Sequence, residues 1–227
     1  MTKHNDYLFQ IEDDELLFLR QFDEMYHNCQ DPHGQTKVLT RIDYQFVGQL
    51  TRRLTELLHQ DKSRHRLNIL DLGCGLGTFT QYLKKSFTDA EVSGCDISET
   101  ALEKARISAP DCDFFMLDLK EKPSNEKTFD LLIALHVLCY FTEDEIRNVI
   151  RHLGILMNPG AFLLVGYHLP ENMRFGRYIT SLNDARCLFE LESFSMRFGM
   201  DIMDDLDVTY AGSPVGRNIY FVVQKSR

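Results

Sequence analysis

The chain has 227 residues, 44% of them hydrophobic and 26% charged, so it has enough apolar residues for one globular domain with a sizeable core. Its formal net charge of −9 argues against a protein that gains its affinity by neutralising the phosphates of nucleic acid. No apolar run approaches the roughly 18–20 residues that span a bilayer, and the polar N-terminus is unlike a secretory signal, so we expect a cytoplasmic protein without membrane contact.

The first part of the chain has apolar residues at helical spacing. Two helices are predicted there, over residues 8–28 and 36–59. The sequence CQDPHGQ lies between them, and its Asp-Pro and Gly residues are typical of a break. We interpret residues 1–60 as a helical cap, or lid, that precedes a main domain over residues 61–227.

The pattern then alternates between strands and helices. Apolar runs predict strands at 67–72, 91–95, 112–117, 129–134 and 161–167, and helices are predicted near 78–87, 98–108 and 143–157. Thr142, with Glu145 three residues later, has the pattern of a capping box at the start of the last helix. Such alternation predicts a mainly parallel sheet with helices on both faces.

The C-terminal part departs from this alternation. A helix is predicted around 181–198. After it, the segments MDIMDDLDVTY and NIYFVVQK are separated by AGSPVG, which indicates two antiparallel strands joined by a turn. The expected architecture is therefore a parallel sheet that ends in an antiparallel hairpin.

Three glycines occur at alternate positions directly after the strand predicted at 67–72, in the sequence LDLGCGLGTF. A turn without side chains lets a ligand approach the main chain closely. Asp96 follows the next strand, 19 residues beyond Gly77 (96 − 77), at the spacing where a carboxylate accepts hydrogen bonds from ribose hydroxyls. Position 78 is threonine rather than the third glycine of a dinucleotide-binding loop, and the Gly-Lys-Ser/Thr of a Walker loop is absent. The pattern predicts a ligand that carries a nucleoside.

Five segments in order extend this pattern over roughly residues 65–168: ILDLGCGLGTFTQYL, VSGCDISETALEKAR, CDFFMLDL, FDLLIALHVLCYF and LMNPGAFLLVGYH. Together they resemble the motif set of class I S-adenosylmethionine-dependent methyltransferases. The resemblance implies a Rossmann-like, doubly wound α/β fold with a seven-stranded sheet. It also implies that the protein is an enzyme that uses S-adenosylmethionine, releases S-adenosylhomocysteine and methylates an acceptor.

The resemblance implies roles for residues of the glycine turn and of the strand that follows it. Gly73, Gly75 and Gly77 would pass beneath the methionine part and the ribose of the cofactor, and Asp71 would organise their turn. Asp96 would bind the ribose hydroxyls. An alternative stays open for Asp96, because it precedes the sequence ISET and could simply cap the next helix.

The remaining motifs imply the surroundings of the adenine and of the methyl group. Ile97 would pack on the adenine, Asp118 would bind its amino group, and Leu119 would supply a main-chain contact. Leu135 and His136, at the end of the fourth strand, would border the sulfonium and its methyl group.

The N-terminal sequences FDEMYHNCQDPHG and RIDYQF are similar to the same region of small-molecule methyltransferases of the nodulation-protein-S type, which N-methylate an amino sugar. His33 stands where that type usually has tryptophan. By this resemblance Tyr26, together with Arg41 and Tyr44, would cover the cofactor. The alternative is that these residues only join the N-terminal helices to the sheet.

Several acceptors are disfavoured by the sequence. The fourth strand ends in ALHV rather than in the Asn/Asp-Pro-Pro-aromatic motif of adenine-N6 methylation, and no Pro-Cys nucleophile is present. The metal-binding aspartates of catechol-type enzymes have no counterpart, and no Cys-x-x-Cys pair occurs, so we expect no metal. We expect a small-molecule acceptor, methylated on nitrogen in preference to oxygen, and a monomer or homodimer. A protein or tRNA acceptor, or a non-catalytic S-adenosylmethionine-binding partner protein, remains the alternative.

Proton-accepting candidates lie after the fourth and fifth strands. His136 and His168 are the candidate general bases, and Tyr140 is expected to line the acceptor pocket. No base is required if an amine acceptor arrives deprotonated. The segment HLPENMRFGRY is expected to face the acceptor, and its Arg174 and Arg177 could bind an anionic one.

Overall fold

The computed structural model describes residues 5–12, 15–61, 66–124, 127–170, 176, 178–203 and 216–226. The strands are β1 (Phe9–Glu12), β2 (Glu15–Phe18), β3 (Asn68–Leu72), β4 (Glu91–Asp96), β5 (Asp113–Met116), β6 (Phe129–Leu135), β7 (Met157–Pro170), β8 (Phe194–Met203) and β9 (Gly216–Lys225). The helices are α1 (Phe22–Asn28), α2 (Ile42–His59), α3 (Thr78–Ser86), α4 (Glu99–Ser108), α5 (Glu143–Leu156) and α6 (Leu182–Glu190).

The main sheet has seven strands in the order β5-β4-β3-β6-β7-β9-β8. Neighbouring strands from β5 to β7 are parallel, and β9 runs antiparallel to both β7 and β8. The predicted α/β class, with a mainly parallel seven-stranded sheet that ends in an antiparallel hairpin, is confirmed. Most of the predicted AGSPVG turn lies outside the described residues.

Helices cover both faces of the sheet because successive strand residues point to opposite sides. Leu70 and Leu132 belong to the buried cluster that α5 completes. Their neighbours Ile69 and Leu131 belong to the cluster that α2 and α3 complete on the other face. Full burial of a Leu or Ile side chain contributes about 1.5–3 kcal/mol, so these two layers supply much of the stability of the domain.

The predicted capping box at the start of α5 is confirmed. The Thr142 hydroxyl accepts from the Glu145 amide at 3.3 Å, and the Glu145 carboxylate accepts from the Thr142 amide at 2.9 Å. This pair satisfies two amides that a helix start leaves without an intrahelical partner. The capping box therefore fixes the residue at which α5 begins after β6.

The helix predicted over residues 8–28 is wrong for most of its length. Residues 9–12 and 15–18 pair as the antiparallel strands β1 and β2, an N-terminal hairpin, and of the described residues in this range only those of α1 form an α-helix. The cross-strand pair Phe9 and Phe18 stacks with ring centroids 5.1 Å apart, and such aromatic pairs stabilise antiparallel strands. The second predicted helix is shortened, because residues 35–40 form a 3₁₀ turn before α2 begins.

The helix predicted over 181–198 is also too long. It ends at Glu190, and Ser193 has a φ of 65°, a left-handed conformation that a helix cannot continue through. The chain then enters β8, which pairs with β9 from Phe194 onward. Pairing with a neighbouring strand has therefore overridden the helical spacing of this segment.

The division of the chain at residue 60 stays a prediction. Helix α2 packs on the sheet core, whereas Met25 and Tyr26 of α1 form a separate cluster with Leu76 and Ala101. Among the described residues, no helix combines the length and apolar character needed to cross a membrane.

Candidate active site

A pocket opens at the carboxyl ends of β3, β4 and β6. The chain leads from β3 to β4 on one side and later to β6 on the other, so the strand order reverses at this point. Crevices at such points are where open α/β sheets bind their ligands. Predicted site residues that line the pocket are Tyr26, Tyr44, Asp71, Gly73, Asp96, Ile97, Asp118, Leu119, Leu135, His136 and Tyr140.

The three glycines after β3 share a left-handed backbone. Gly73, Gly75 and Gly77 have φ values of 66°, 51° and 73°. Residues with a Cβ adopt this region at a steric cost, which explains the residue type at all three positions. The sequence analysis predicts a second reason for glycine here, namely that a ligand approaches the main chain closely. The atoms nearest to each glycine show what a side chain would contact.

Protein side chains occupy the space beside these glycines. A Cβ on Gly73 would lie 2.5 Å from Cγ2 of Val137, and one on Gly77 would lie 2.9 Å from the ring of Phe114. Of the three glycines, Gly73 is the one among the described pocket-lining residues. The roles of Gly75 and Gly77 beneath a cofactor stay predictions, and their nearest contacts are within the protein.

Gln35, from the 3₁₀ turn before α2, fills the space beside Gly75. A Cβ there would lie 2.3 Å from the Gln35 side-chain amide. Gln35 Oε1 accepts from the Leu76 amide at 2.8 Å and from the Tyr26 hydroxyl at 3.5 Å. Gln35 therefore joins the N-terminal segment to the glycine turn, and no local pattern in the sequence indicates this contact.

Asp96 holds both the glycine turn and the start of α4. Its Oδ2 accepts from the Gly75 amide at 2.8 Å, and its Oδ1 accepts from the Ser98 amide at 3.0 Å. Burial raises the pKa of Asp96, although these amide hydrogen bonds oppose the rise. Asp96 is also one of the residues that line the pocket. The N-cap of α4 is Ser98, whose hydroxyl accepts from the Ala101 amide, so Asp96 supports the residue that caps the helix and is not the cap itself. The contact of Asp96 with a ribose stays a prediction.

Asp71 is a second buried carboxyl group at the end of β3. Burial raises its pKa to about 7, the nearby charge of Asp96 acts in the same direction, and a 2.6 Å hydrogen bond from the Thr80 hydroxyl opposes the rise. The pocket therefore holds two acidic groups close together, an arrangement that suits a ligand with positive charge.

The raised pKa of Asp71 predicts a loss of stability with rising pH. Between about pH 4 and 7 the folded state binds more protons than the unfolded state, so the free energy of unfolding falls across this window. At about 1.4 kcal/mol per pKa unit, the loss reaches at most about 4 kcal/mol. Urea unfolding of Asp71→Asn at pH 5 and pH 8 should show the variant gaining about 2–4 kcal/mol relative to wild type at the higher pH.

Asp184 provides the matched control for this measurement. Its pKa is lowered, mainly by a hydrogen bond from Thr180, so it is ionised in both states above pH 5. Asp184→Asn should therefore change stability equally at pH 5 and pH 8. A constant difference between Asp71→Asn and wild type at the two pH values would contradict the raised pKa of Asp71.

Asp118, predicted to bind the adenine amino group, is engaged by the N-terminal segment. Arg20 Nη2 lies 3.2 Å from each of its carboxylate oxygens, and the Lys120 amide donates to Oδ1 at 2.9 Å. Arg20 has a φ of 56°, a left-handed conformation that is strained for a residue with a Cβ. The neighbouring Leu119 is buried and its carbonyl accepts from His152 at 2.9 Å.

His136 borders the other end of the pocket, after β6. Its φ is 59°, and its amide donates to the Gly166 carbonyl at 2.7 Å. Burial lowers its pKa well below the usual value, and the charges of His168, Arg41 and His33 lower it further. His136 is therefore neutral at neutral pH and a weaker base than an exposed histidine.

His168 lies behind His136 rather than along the described pocket lining. The two rings meet edge to face with centroids 6.1 Å apart. Asn218 Oδ1 is 2.8 Å from His168 Nδ1, and because an amide oxygen only accepts, Nδ1 carries the proton. This hydrogen bond fixes the orientation of the His168 ring.

Tyr140 lines the pocket and also contacts the N-terminal hairpin. Its ring stacks on Phe18 at 5.9 Å and meets Phe22 edge to face at 5.2 Å. It therefore holds the hairpin and α1 beside the pocket that it lines. The predicted acceptor-facing residues Glu171, Arg174 and Arg177 lie outside the described residues.

Comparison with known proteins finds similarity over part of the chain. Residues 69–160 match the family model described as "Methyltransferase domain". Trans-aconitate 2-methyltransferase of Enterobacter sp. (strain 638) is 37% identical over 130 residues, which are 57% of this chain and 49% of that protein. The chain spans about half the length of the curated relatives it matches.

Solved structures resemble the chain over a larger part of its length. Magnesium protoporphyrin IX methyltransferase from Synechocystis PCC 6803, with bound SAM, has a TM-score of 0.57 and 22% identity, over 91% of this chain and 83% of that one. N-methyltransferase NodS from Bradyrhizobium japonicum WM9, in complex with S-adenosyl-L-homocysteine, has a TM-score of 0.55 and 18% identity, over 78% of this chain and 87% of that one. At these identities the similarity establishes the fold.

Proposed function

We propose that this chain, which carries a class I methyltransferase domain, binds S-adenosylmethionine and transfers its methyl group to a nitrogen or oxygen of a small-molecule acceptor. The observation that carries the proposal is the pocket where the strand order reverses, lined by carboxyl groups at or just after the ends of three neighbouring strands: Asp71, Asp96 and Asp118. One relative is named trans-aconitate 2-methyltransferase, and a small-molecule acceptor in that name supports an acceptor of small size here.

The carboxylates fit the polar groups of S-adenosylmethionine. Each carboxylate oxygen can accept more than one hydrogen bond, so Asp96 could accept from ribose hydroxyls while it holds the amides of Gly75 and Ser98. Asp118 would share its oxygens between Arg20 and the adenine amino group. The buried acidic pair Asp71 and Asp96 favours a ligand with ammonium and sulfonium charges.

The protein residues would chiefly position the acceptor, because the sulfonium of bound S-adenosylmethionine supplies the activated methyl group. Neutral His136 would hydrogen-bond the acceptor, and His168 would hold the His136 ring in place. Tyr26 and Tyr140 would exclude water from the side covered by the N-terminal segment. In this proposal the lowered pKa of His136 makes it an orienting group in preference to a base.

A binding and turnover experiment tests the proposal. We expect the purified protein to retain methyl-labelled S-adenosylmethionine at about one molecule per chain, and to release labelled small molecules when given a broad acceptor panel. No retained label would overturn the proposed function. Retained label without any product would favour a binding protein without turnover, and label in the protein or tRNA fraction would favour a macromolecular acceptor.

A further inference from the structure

Arg20 is a charged residue of the N-terminal segment that lines the pocket. It follows β2 and has a φ of 56°, in the left-handed region that residues with a Cβ seldom adopt. Hydrogen bonds hold the chain on both sides of it. Before Arg20, the Leu19 amide donates to the Leu8 carbonyl at 2.8 Å. After it, the Gln21 amide donates to the Tyr7 carbonyl at 3.2 Å. Residues held in this conformation are concentrated at functional sites, which makes the Arg20 side chain a candidate for a function.

The guanidinium of Arg20 pairs with Asp118, the residue predicted to bind the adenine amino group. Its Nη2 lies 3.2 Å from each carboxylate oxygen, and the two side chains are half-buried. A charged donor shared by both oxygens limits the directions in which the carboxylate can turn. The ion pair therefore orients Asp118 in the pocket wall.

One oxygen of Asp118 still has an acceptor position for a ligand. Oδ1 accepts from Arg20 and also from the Lys120 amide at 2.9 Å, whereas Oδ2 accepts from Arg20 alone among the described residues. Each carboxylate oxygen can accept two hydrogen bonds. A donor in the pocket can therefore bind Oδ2 without displacing either protein contact.

The position of Asp118 beside Asp96 indicates which part of the cofactor supplies this donor. Strand β5 pairs in parallel with β4, and the Leu117 amide donates to the Asp96 carbonyl at 3.0 Å. The two carboxyl groups thus lie at the ends of adjoining strands. Because adenine is attached to the ribose, a ribose at Asp96 would place the adenine toward β5, with its amino group near Asp118.

We propose that Arg20 is a positioning residue that holds Asp118 in the orientation that receives the adenine amino group. Arg20 thereby determines how strongly the pocket distinguishes adenine from a purine without that group. This inference rests on the proposed function and gives the N-terminal segment a part in cofactor recognition. Without Arg20, Asp118 loses two of the three hydrogen bonds that the described residues donate to it, and its carboxylate is free to turn toward solvent.

A thermodynamic cycle between ligand and protein tests this role. S-adenosylhomocysteine and its analogue with unsubstituted purine in place of adenine are titrated calorimetrically into wild type and Arg20→Ala. The analogue lacks the amino group and keeps the ring nitrogens. We expect wild type to bind the analogue about 20-fold more weakly than S-adenosylhomocysteine, as for loss of a hydrogen bond to a charged group. In Arg20→Ala the difference should shrink to about threefold, because S-adenosylhomocysteine binds more weakly while the affinity for the analogue stays within about twofold of wild type.

Two further variants serve as controls. Arg151 also pairs with both oxygens of a carboxylate, that of Glu192, but lies outside the described pocket lining, so Arg151→Ala should keep the wild-type preference for adenine. Arg20→Lys keeps the charge but donates from a single point, so it should regain part of the preference that Arg20→Ala loses.

The remaining outcomes contradict the inference in distinguishable ways. Equal weakening of both ligands in Arg20→Ala would leave Arg20 a purely structural role. Tighter binding of S-adenosylhomocysteine by this variant would mean that Arg20 competes with adenine for Asp118. If wild type binds both ligands equally well, Asp118 does not receive the amino group and the inference falls while the proposed function stands. If wild type binds neither ligand, the proposed function itself falls.

Discussion

Replacing Gly75 by valine is expected to abolish detectable binding of S-adenosylmethionine while the sheet remains folded. A β-branched residue is strongly disfavoured at a φ of 51°, and its Cβ would lie 2.3 Å from the Gln35 amide. The turn must therefore shift, which breaks the 2.8 Å hydrogen bond from the Gly75 amide to Asp96 in the pocket wall. Calorimetry should show an affinity loss of at least about 100-fold, or about 2.7 kcal/mol.

Gly34 is the matched control for the backbone strain. Its φ of 64° is also left-handed, but a Cβ there would have nothing within 4 Å. Gly34→Val should therefore cost about 1–2 kcal/mol of stability and leave the affinity for S-adenosylmethionine within about threefold. Retained affinity in Gly75→Val would remove the turn from the cofactor site, and equal losses in both variants would attribute the effect to strain alone.

A second pair of variants distinguishes the displacement of Gln35 from a change in the shape of the turn itself. Gly75→Ala in a Gln35→Ala background keeps the left-handed strain but gives the new Cβ the space that the amide occupied. If affinity recovers relative to Gly75→Ala alone, the main effect of the substitution is the displacement of Gln35. If it does not recover, the turn itself must keep its shape to bind the cofactor.

The parallel sheet could be predicted because strands buried on both faces read as continuous apolar runs, as β3 and β6 do. Glycine and aspartate then mark the strand ends, so the side of the sheet that carries the pocket could also be predicted. Class-defining motifs identified the same region that the family model matches, residues 69–160. These features depend on residues that are close together in the sequence.

Contacts between distant segments could not be predicted in this way. Arg20 and Asp118 are 98 residues apart, and Gln35 and Leu76 are 41 apart. Only folding brings them together, and neither Arg20 nor Gln35 belongs to a local pattern. As a result, the sequence identified the carboxylates of the pocket but not the residues that engage them.

The N-terminal hairpin was missed for a different reason. Leu8 and Ile11 are three residues apart, and Phe18 and Phe22 are four apart, so the segment also fits helical spacing. The strands contain only four residues each, too few for alternation to dominate. Tyr140, which lies in the turn after β6, stacks on Phe18. This contact between distant segments favours the hairpin in the folded protein.

Asp96→Ala is expected to weaken S-adenosylmethionine binding by about 2–3 kcal/mol, a factor of about 30–150. Two mechanisms predict this loss. Asp96 could bind the ribose hydroxyls directly, or it could act only by holding the Gly75 and Ser98 amides in place. A single substitution does not distinguish them, because it removes both contacts at once.

A thermodynamic cycle with a modified ligand separates these mechanisms. Calorimetry is performed on wild type and Asp96→Ala with S-adenosylhomocysteine and with its analogue lacking both ribose hydroxyls. If Asp96 binds the ribose, removing the hydroxyls should cost wild type about 2 kcal/mol and cost the variant little, since the partner carboxylate is already gone. If Asp96 only anchors the turn and α4, the two losses should add within about 0.5 kcal/mol, and the direct ribose contact would have to be abandoned.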